Sequence, residues 1–551
     1  MFGPDAALPA PASIRLRLEL TAALLTASAA ALLLAFGPSP ADAAAHLYRT
    51  FLVRHGVLVW DNLWFGGNYP LASYSLLYYF PAAVVGNLPL VFAATVASTV
   101  LFAAVAYHEW GPVAVWPTRI FAVFAAAPLF TGVYSYALGF ATLLGALRSA
   151  QKGWTWLTIV LAALTLGFSP LAFAFLVLIF GAVLVSRRRI ARRTVVLGAA
   201  LAVLAGLQVA VLALFPSPGV YPFHVADLLS VLGVCALGAL LAHRAEKGAP
   251  LVAFFVFWAV GSLIAYGAPT PIGDNWTRLR GFVFPLMLLA ALLARFRPRL
   301  LAATALTAAL AYNLVPYLQQ IQYRTDVRPE NAAFWAAPLH YLRKHFSPNY
   351  RVEVVPTTEH WETYWLPRAG IPIARGWYRQ LDIVDNPSLY RHSITGPGYR
   401  MWLRAMGVKY VLLPATQLDP MGGTAEGRLL QSGAAGLPEV YRSRVGTIYA
   451  LPNPTPLLTG PAHAKIARIG HTTVTGWVST PGRYFFRERY TPYFKVQPGG
   501  CVSATRTNMT WLTLTRPGRF TLKIPHSPEG ILKLAVTGRD PDCRVPSAGP
   551  H

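Results

Sequence analysis

Residues 40–80 read PADAAAHLYRTFLVRHGVLVWDNLWFGGNYPLASYSLLYYF and follow the first strongly apolar segment of the chain. Asp42, His46 and Arg49 are four and three residues apart, so a helix here places all three on one face. A carboxylate, an imidazole and a guanidinium would then converge just after an apolar segment. This stretch decides the fold, because the topology of the rest depends on whether its second half crosses a membrane.

The composition is that of a membrane protein. Of the 551 residues, 55% are hydrophobic and only 13% are charged, and the mean hydropathy is +0.44. An ordinary soluble multidomain protein is less apolar. The formal net charge of +25 includes arginines concentrated in short loops between apolar segments, a pattern typical of membrane topology. We therefore expect membrane lipids as partners and no nucleic acid.

Eleven segments suit membrane spans, each of which needs about 20 apolar residues or somewhat fewer with help from neighbours. The first is long for the apolar core of a signal peptide and precedes many other apolar segments, so we interpret it as a retained span. The predicted spans are residues 16–36, 88–107, 118–133, 136–149, 154–169, 170–186, 194–215, 226–243, 250–267, 281–295 and 299–316.

Basic clusters provide an independent check, because Lys and Arg collect on the cytoplasmic side of a membrane. They are Arg15 with Arg17, Arg148 with Lys152, and residues 187–193, 243–247 and 295–299. All lie on one side only if an even number of spans separates consecutive clusters. Counting the apolar segment 71–86 as a span would break this parity, so we interpret it as an aromatic-rich interfacial or re-entrant helix.

The parity predicts a multi-pass protein with a cytoplasmic N-terminus and an extracytoplasmic C-terminal region, and we expect it in the inner (plasma) membrane. The outer loops then include residues 37–70, 216–227 and 268–280. The short basic loops on the other side have no candidate functional side chains. The outer loops hold all of the candidates, which are Asp42, His46, Arg49, Asp61, Asp274, Arg278 and Arg280.

Three domains are predicted from changes in composition: a transmembrane domain (1–316), a small exported α/β domain (317–460) and an exported β-sandwich (461–551). The α/β prediction uses helices at 332–345 and 399–406 and strands at 351–355, 408–413 and 447–451. Short alternating strands separated by Pro-Gly and Gly-Gly turns indicate the sandwich. Cys501 and Cys543 could form a disulfide there or remain thiols.

The chain resembles the GT-C superfamily of integral-membrane glycosyltransferases. The matching features are Asp42 in ADAAAH, the G-x-x-x-W-x-x-x-W-x-G-G run over residues 56–67, and the Tyr-rich segment that follows. MGVKYVLLP from Met406 and TIYALPNPTPLL from Thr447 are similar to the outer domain of YfhO-type bacterial proteins. They are also similar to the bacterial membrane family described as related to 6-pyruvoyl-tetrahydropterin synthase.

Two features depart from the GT-C pattern. The first loop has one isolated acid in place of an adjacent acidic pair. The fifth and sixth spans meet at GFSP, residues 167–170, where the family leads us to expect a turn that contains histidine.

The resemblance implies a polytopic α-helical membrane fold, consistent with about 11 spans. It also implies an enzyme that moves a sugar from a polyprenyl-phosphate donor to a glycan or lipid acceptor of the cell envelope, on the outer face of the membrane. A polyprenyl phosphate is a good leaving group, so one general base and cations for the phosphate suffice. We expect Asp42 to be the base. His46 would orient Asp42 or contact phosphate, and Arg278 or Arg280 would stabilise the phosphate charge.

The remaining candidates would bind substrate. Arg49 would contact a lipid phosphate, and Asp61 and Asp274 would bind acceptor or a metal. No cofactor is certain, and a divalent metal remains open. Two alternatives also remain: Asp42 could serve only as the N-cap of the next helix, and the protein could be a non-catalytic exporter or assembly protein for lipid or polysaccharide.

Reporter fusions test the parity argument. Reporters at residues 150 and 190 should be active in the cytoplasm and a reporter at 320 outside it, because eleven spans separate the two ends. A cytoplasmic reporter at 320 would refute the eleven-span prediction.

Overall fold

The fold is described from a computed structural model, which covers residues 12–67, 74–187, 191–216, 219–322, 328–376, 378–391 and 393–538. The chain divides into two compact units that interleave in sequence. The first consists of Met1–His46 and Ala72–Arg324, and the second of Leu47–Leu71 and Thr325–His551. The three consecutive domains expected from the sequence stay a prediction. In the structure, Leu47–Leu71 groups with the C-terminal part of the chain.

Helices make up the first unit. They are α1 (Ala12–Phe36), α2 (Ala43–Arg54, which continues into the second unit), α3 (Tyr79–Val85), α4 (Asn87–Trp110), α5 (Val115–Phe124), α6 (Ala127–Thr131), α7 (Tyr134–Gln151), α8 (Thr155–Phe168), α9 (Pro170–Val185), α10 (Arg192–Leu214), α11 (Val225–Ala242), α12 (Ala249–Gly267), α13 (Val283–Ala294) and α14 (Arg299–Gln322). Gly111–Ala114 and Gly273–Phe282 are 3-10 helices.

Seven helical segments within the described residues are long and apolar enough to cross a membrane: Ser13–Phe36, Asn87–Thr131, Arg192–Leu214, Val225–Ala242, Ala249–Gly267, Gly273–Ala294 and Arg299–Gln322. Helices α8 and α9 are also apolar but shorter. On α10, large apolar side chains such as Val203 and Val209 are exposed, a surface that lipid accommodates and water does not. The protein is thus a mostly helical, multi-pass membrane protein.

The count of eleven spans stays a prediction. Segment 118–133, which was expected to be one span, is divided between α5 and α6. Helix α3 has seven residues, too few to cross a bilayer. The start of the predicted interfacial helix, up to residue 73, lies outside the described residues, as do residues 188–190 of the basic cluster 187–193.

Aromatic side chains hold the 3-10 helix Gly273–Phe282 within its first half and at its last residue. The Trp258 indole N–H donates to the Trp276 carbonyl at 3.1 Å, and the Trp276 indole N–H donates to the Trp258 carbonyl at 3.4 Å. The Phe282 ring stacks on Phe121 at 5.1 Å between centroids. Runs of 3-10 helix of this length are uncommon, and these contacts stabilise one that carries an acid and two arginines.

The second unit begins with a mixed α/β layer. Its elements are α15 (Ala332–His345), β1 (Arg351–Val354), α16 (Glu362–Arg368), α17 (Arg379–Asp385), the 3-10 helix Pro387–Tyr390, α18 (Gly396–Ala405), β2 (Val408–Pro414), α19 (Thr424–Gln431), β3 (Glu439–Ser443) and β4 (Gly446–Ala450). The sheet order is β1-β2-β4-β3; β1 pairs parallel to β2, and the other pairs are antiparallel. The helix predicted at 332–345 and the three predicted strands are confirmed to within one or two residues.

Two further four-stranded antiparallel sheets follow. They contain β5 (Leu458–Thr459), β6 (Ala464–Ile469), β7 (Thr473–Val478), β8 (Gly482–Arg489), β9 (Lys495–Gln497), β10 (Gly500–Ala504), β11 (Met509–Leu514) and β12 (Gly518–Lys523), and α20 (Pro528–Thr537) closes the described chain. The orders are β10-β11-β8-β5 and β6-β7-β12-β9. Burial alternates along β7 and β11, so one face of each sheet packs inward, and the predicted strand-rich C-terminal part is confirmed. Cys543 lies outside the described residues.

A buried ion pair joins the α/β layer to the strands that follow it. Arg351 on β1 pairs with Glu488 on β8, and both side chains are almost completely buried. Glu488 also accepts the backbone N–H of Gly66 at 2.8 Å and of Arg489 at 2.7 Å. Burial raises the pKa of Glu488, while Arg351 opposes that shift. Three distant parts of the chain therefore meet at one carboxylate.

Arg375 holds together a second buried network. Its guanidinium lies 2.8 Å from Glu353 and 2.6 Å from Glu426, and 3.7 Å from Asp382 on α17. Burial raises the pKa of Glu353 well above its usual range, and nearby Glu426 and Asp382 add to the effect. Removing one partner from such a network typically costs about 3–5 kcal/mol, because the others are left buried and unpaired.

Asp385, at the end of α17, should make the stability of the fold depend on pH. Burial raises its pKa from 3.8 to about 6, although Arg489 lies 2.9 Å away and opposes the shift. Because the folded-state pKa is the higher one, the protonated acid stabilises the fold below about pH 4, and this contribution is lost as the pH rises through 6. At about 1.4 kcal/mol per unit the loss is roughly 3 kcal/mol.

Asp385→Asn should therefore flatten the fall in unfolding temperature between pH 4.5 and 7 in detergent-solubilised protein. Glu439→Gln is the control, because Glu439 forms an exposed ion pair with Arg442 and such pairs contribute little. An unchanged pH profile in Asp385→Asn would contradict the raised pKa.

Candidate active site

Asp42 lies directly before the first residue of α2. Its backbone N–H donates to the Thr131 carbonyl at 3.4 Å, and its carbonyl accepts the His46 N–H at 3.4 Å. The Asp42 side chain is 34% exposed, so the carboxylate is partly enclosed and still accessible. The position at the start of the helix agrees with the alternative role as an N-cap, and it leaves the carboxylate able to meet a ligand.

Arg278 is the cation nearest to this carboxylate in the described part of the first unit. Its Nη2 lies 4.0 Å from Oδ2 of Asp42, and its side chain is 26% exposed. The guanidinium also lies 5.9 Å from the ring centroid of Tyr136, at the start of α7. The structure thus brings together one acid and one cation that are 236 residues apart in sequence, and both side chains stay partly exposed.

Gly132 sets the position of the Asp42 backbone. Its φ is +86°, a left-handed conformation that favours glycine. A Cβ at this position would lie 2.8 Å from the backbone nitrogens of both Asp42 and Ala43. The turn between α6 and α7 therefore packs against the start of α2 with no room for a side chain. The corresponding sequence, TGVYSY over residues 131–136, contains no motif that indicates this contact.

His46 is enclosed by tyrosines. It is 1% exposed, and its ring centroid lies 5.3 Å from Tyr134, 5.7 Å from Tyr78 and 5.9 Å from Tyr79. The Tyr79 hydroxyl lies 3.1 Å from His46 Nδ1, within hydrogen-bonding distance. In this setting His46 can anchor the first turns of α2, and a direct contact with substrate phosphate would require the cluster to open.

Asp274 and Arg280 lie on the same 3-10 helix as Arg278. The Arg280 guanidinium donates to the Thr277 hydroxyl and lies 5.4 Å from the Tyr312 ring centroid. The Asp274 backbone N–H donates to the Pro222 carbonyl at 3.3 Å. Arg280 is therefore held by its own helix, whereas Arg278 reaches Asp42.

Asp61 and Arg49 belong to the second unit. Asp61 is fully buried; one oxygen accepts the Tyr48 hydroxyl at 2.6 Å, and the other lies 2.8 Å from His471 Nδ1. This arrangement favours a structural role for Asp61. Arg49 is also buried, with its guanidinium 5.6 Å from the Tyr378 ring centroid. Substrate binding by either residue stays a prediction.

A metal centre also stays a prediction. Among the residues that the structure describes, no group of three or more His, Cys, Asp or Glu side chains is arranged to hold a metal ion. His360, which the sequence places between two glutamates, has its Nδ1 3.1 Å from Glu362.

No protein-family model matches the chain, and no curated protein matches it either. Thirteen solved chains do match. One is the cryo-EM structure of the arabinofuranosyltransferase AftD from mycobacteria, with a TM-score of 0.48 and 13% sequence identity. The match covers 95% of this chain and 60% of that one, so this chain spans about three fifths of the length of that structure. The TM-score is too low to establish a shared fold.

The close approach at Gly132 can be tested by Gly132→Ala. The left-handed backbone alone should cost about 1–2 kcal/mol, and the contact with the Asp42 backbone should add to it. We expect a lower unfolding temperature in detergent.

Gly198→Ala is the matched control for this substitution. A Cβ at Gly198, within α10, would meet nothing within 4 Å, and alanine favours a helix interior. If Gly132→Ala were as stable as this control, Gly132 would not constrain Asp42.

Proposed function

We propose that the protein is a membrane glycosyltransferase of the GT-C type that moves a sugar from a polyprenyl-phosphate donor to a cell-envelope glycan or lipid. The observation that carries this proposal is the pairing of Asp42 with Arg278. Both are partly accessible, and they lie in a unit built from apolar helices. The short motifs over residues 56–67 and from Met406 support the same family, including the finer resemblance to YfhO-type proteins.

The proposed reaction needs few groups. Asp42 takes the proton of the acceptor hydroxyl as its oxygen bonds to the anomeric carbon of the donor sugar. The bond between that carbon and the phosphate oxygen breaks, and the electron pair leaves with the polyprenyl phosphate. Arg278 stabilises the charge on the departing phosphate, a role for which a guanidinium is well suited. The proton of the acceptor hydroxyl is thus on Asp42, and the electron pair of the broken bond is on the departing phosphate.

The partial exposure of the pair fits this division of roles. A fully buried ion pair would offer neither partner to substrate, whereas Asp42 and Arg278 are each at least one quarter exposed. At 4.0 Å the two groups are close enough to orient each other and far enough apart to exchange this contact for substrate atoms. His46 and the tyrosines around it would fix α2, which carries Asp42 at its start.

The proposal also covers the subcellular location and the orientation of the protein. We propose that the protein lies in the plasma membrane with Asp42 and Arg278 on the outer face, where a polyprenyl-phosphate sugar and an envelope acceptor would meet. The parity of the basic clusters supports this orientation.

Asp42→Asn in purified protein tests the assignment of the base. With labelled polyprenyl-phosphate sugar and acceptor, we expect transfer to fall about 10²- to 10⁴-fold, the usual contribution of a general base. Glu19→Gln is the control, because Glu19 pairs with Arg15 at 3.0 Å on α1 and takes no part in the candidate site.

Two results would count against the proposal. Full transfer by Asp42→Asn would show that Asp42 is not the base. No transfer by the unaltered protein across a panel of donors would favour the exporter or assembly protein, and lipid binding should then depend on Arg278 and not on Asp42.

A further inference from the structure

The two C-terminal sheets carry a large excess of positive charge. Residues 458–523, which include strands β5 to β12, contain ten Lys and Arg residues and a single acid, Glu488. Glu488 is buried and paired with Arg351, so it is not available to the cations on the surface of these sheets. The concentration of basic residues beside membrane spans does not explain these cations, because they lie on strands of the second unit.

The outward face of the sheet β6-β7-β12-β9 has an aromatic side chain between two cations. Lys465 on β6 and Arg519 on β12 are each directly opposite Trp477 on β7, the strand between them. Side chains directly opposite each other project from the same face of a sheet, with Cβ atoms about 4.5–5.5 Å apart. Lys465 and Arg519 are exposed and Trp477 is half-buried, whereas Ile466 and Phe520 are buried on the other face.

Three more cations extend this face along the strands. Arg468 is opposite Thr475, where the register of β6 shifts, and Lys523 on β12 is opposite Lys495 on β9. The row of Lys523 lies about 14 Å along the strands from the row of Trp477, at about 3.4 Å per residue. None of the four strands contains an acid. The basic sheet face thus consists of Trp477 and five cations, which are Lys465, Arg468, Lys495, Arg519 and Lys523.

The cations of the basic sheet face have no ion-pair partner and no aromatic ring beneath them within the described part of the chain. On the other C-terminal sheet, by contrast, the Arg483 guanidinium lies 4.6 Å from the Trp511 ring centroid. Like charges directly opposite each other, as Lys495 and Lys523 are, destabilise a sheet. An anion bound between them would remove this repulsion, so the face suits a ligand with repeated negative charges.

The side chains of the basic sheet face favour an acidic glycan over a lipid surface or a nucleic acid. None of the large apolar side chains on its four strands is exposed, whereas a protein that binds a membrane surface presents apolar side chains to the lipid. Sites for single-stranded nucleic acid stack successive bases on several aromatic rings, and the outward face of these strands has one, Trp477. One ring between two cations suits a sugar that carries a carboxylate or a phosphate.

We propose that the basic sheet face binds an anionic glycan, with its carboxylate or phosphate groups paired to the five cations and one of its sugar rings packed on Trp477. The choice of a glycan as the polyanion rests on the proposed function, in which the protein acts on glycans of the cell envelope. Binding itself does not require Asp42, which belongs to the other unit.

Binding assays on the full-length protein in nanodiscs of phosphatidylcholine test this proposal. The probes are labelled oligogalacturonate and a phosphorylated mannan oligosaccharide, which separate carboxylate from phosphate recognition. Dextran, an oligo-dT of equal charge and phosphatidylglycerol vesicles serve for comparison. At least one acidic oligosaccharide should bind more tightly than all three, and its binding should weaken as salt rises. Binding of neither acidic oligosaccharide, or a preference for the oligonucleotide or the vesicles, would overturn the proposal.

Two charge-matched double substitutions locate the site. Lys465→Gln with Arg519→Gln should weaken binding of the acidic oligosaccharide about 10-fold or more, a change of about 1.4 kcal/mol, because both charge contacts beside Trp477 are lost. Arg483→Gln with Arg516→Gln is the control, because it removes the same charge from exposed positions outside the basic sheet face. Equal weakening by the two would indicate only a diffuse attraction to positive charge and would overturn the location.

Trp477 separates recognition of a sugar from attraction to a bare polyanion. Trp477→Ala should weaken binding of the oligosaccharide and leave binding of inorganic polyphosphate unchanged, whereas Trp477→Phe, which keeps a ring, should bind the oligosaccharide nearly as tightly as the unaltered protein does. Equal oligosaccharide binding by Trp477→Ala and Trp477→Phe would overturn the contact with a sugar ring.

Asp42→Asn separates this site from the proposed reaction, because it should bind the acidic oligosaccharide as tightly as the unaltered protein does. Oligosaccharide binding with no sugar transfer by the unaltered protein would contradict the proposed function and leave the basic sheet face as a glycan site. Sugar transfer with no binding of an acidic oligosaccharide would overturn the glycan site and leave the proposed function standing.

Discussion

The second unit depends on one buried carboxylate. Glu488 is held by Arg351 from the α/β layer and by the Gly66 amide from the segment that follows α2, and it lies on a strand of the C-terminal sheets. A buried charge without a partner costs several kcal/mol, so the stability of each of these parts depends on the presence of the others. Residues of the predicted outer loop 37–70 therefore belong to a unit whose other elements begin after residue 328.

The first unit has a different organisation, because its helices expose apolar surface that suits lipid. Its charged groups are few, and the pair formed by Asp42 and Arg278 is one of the places where charge stays partly accessible. Close packing at Gly132 fixes the start of α2, and indole contacts fix the 3-10 helix that carries Arg278. The geometry of the proposed reaction therefore depends on backbone packing at two points that carry no catalytic group.

Helix spacing correctly anticipated α2 but could not tell accessible side chains from enclosed ones. His46, predicted to touch substrate or orient Asp42, lies among tyrosines, and Asp61 has both oxygens occupied by Tyr48 and His471. Spacing places residues on a helix face, whereas the partners of that face come from segments far away in sequence. The network around Arg375 was missed for the same reason.

Hydropathy alone determined that the chain is a helical membrane protein with a strand-rich C-terminal part, because burial in lipid and the alternation of strands impose periods that short windows reveal. It also placed α15 and the α/β strands to within one or two residues. Only the tertiary structure decided that Leu47–Leu71 joins the C-terminal unit, that Arg278 and not Arg280 reaches Asp42, and that the cations of the basic sheet face lie side by side. Each of these outcomes depends on contacts between distant segments, which no local pattern encodes.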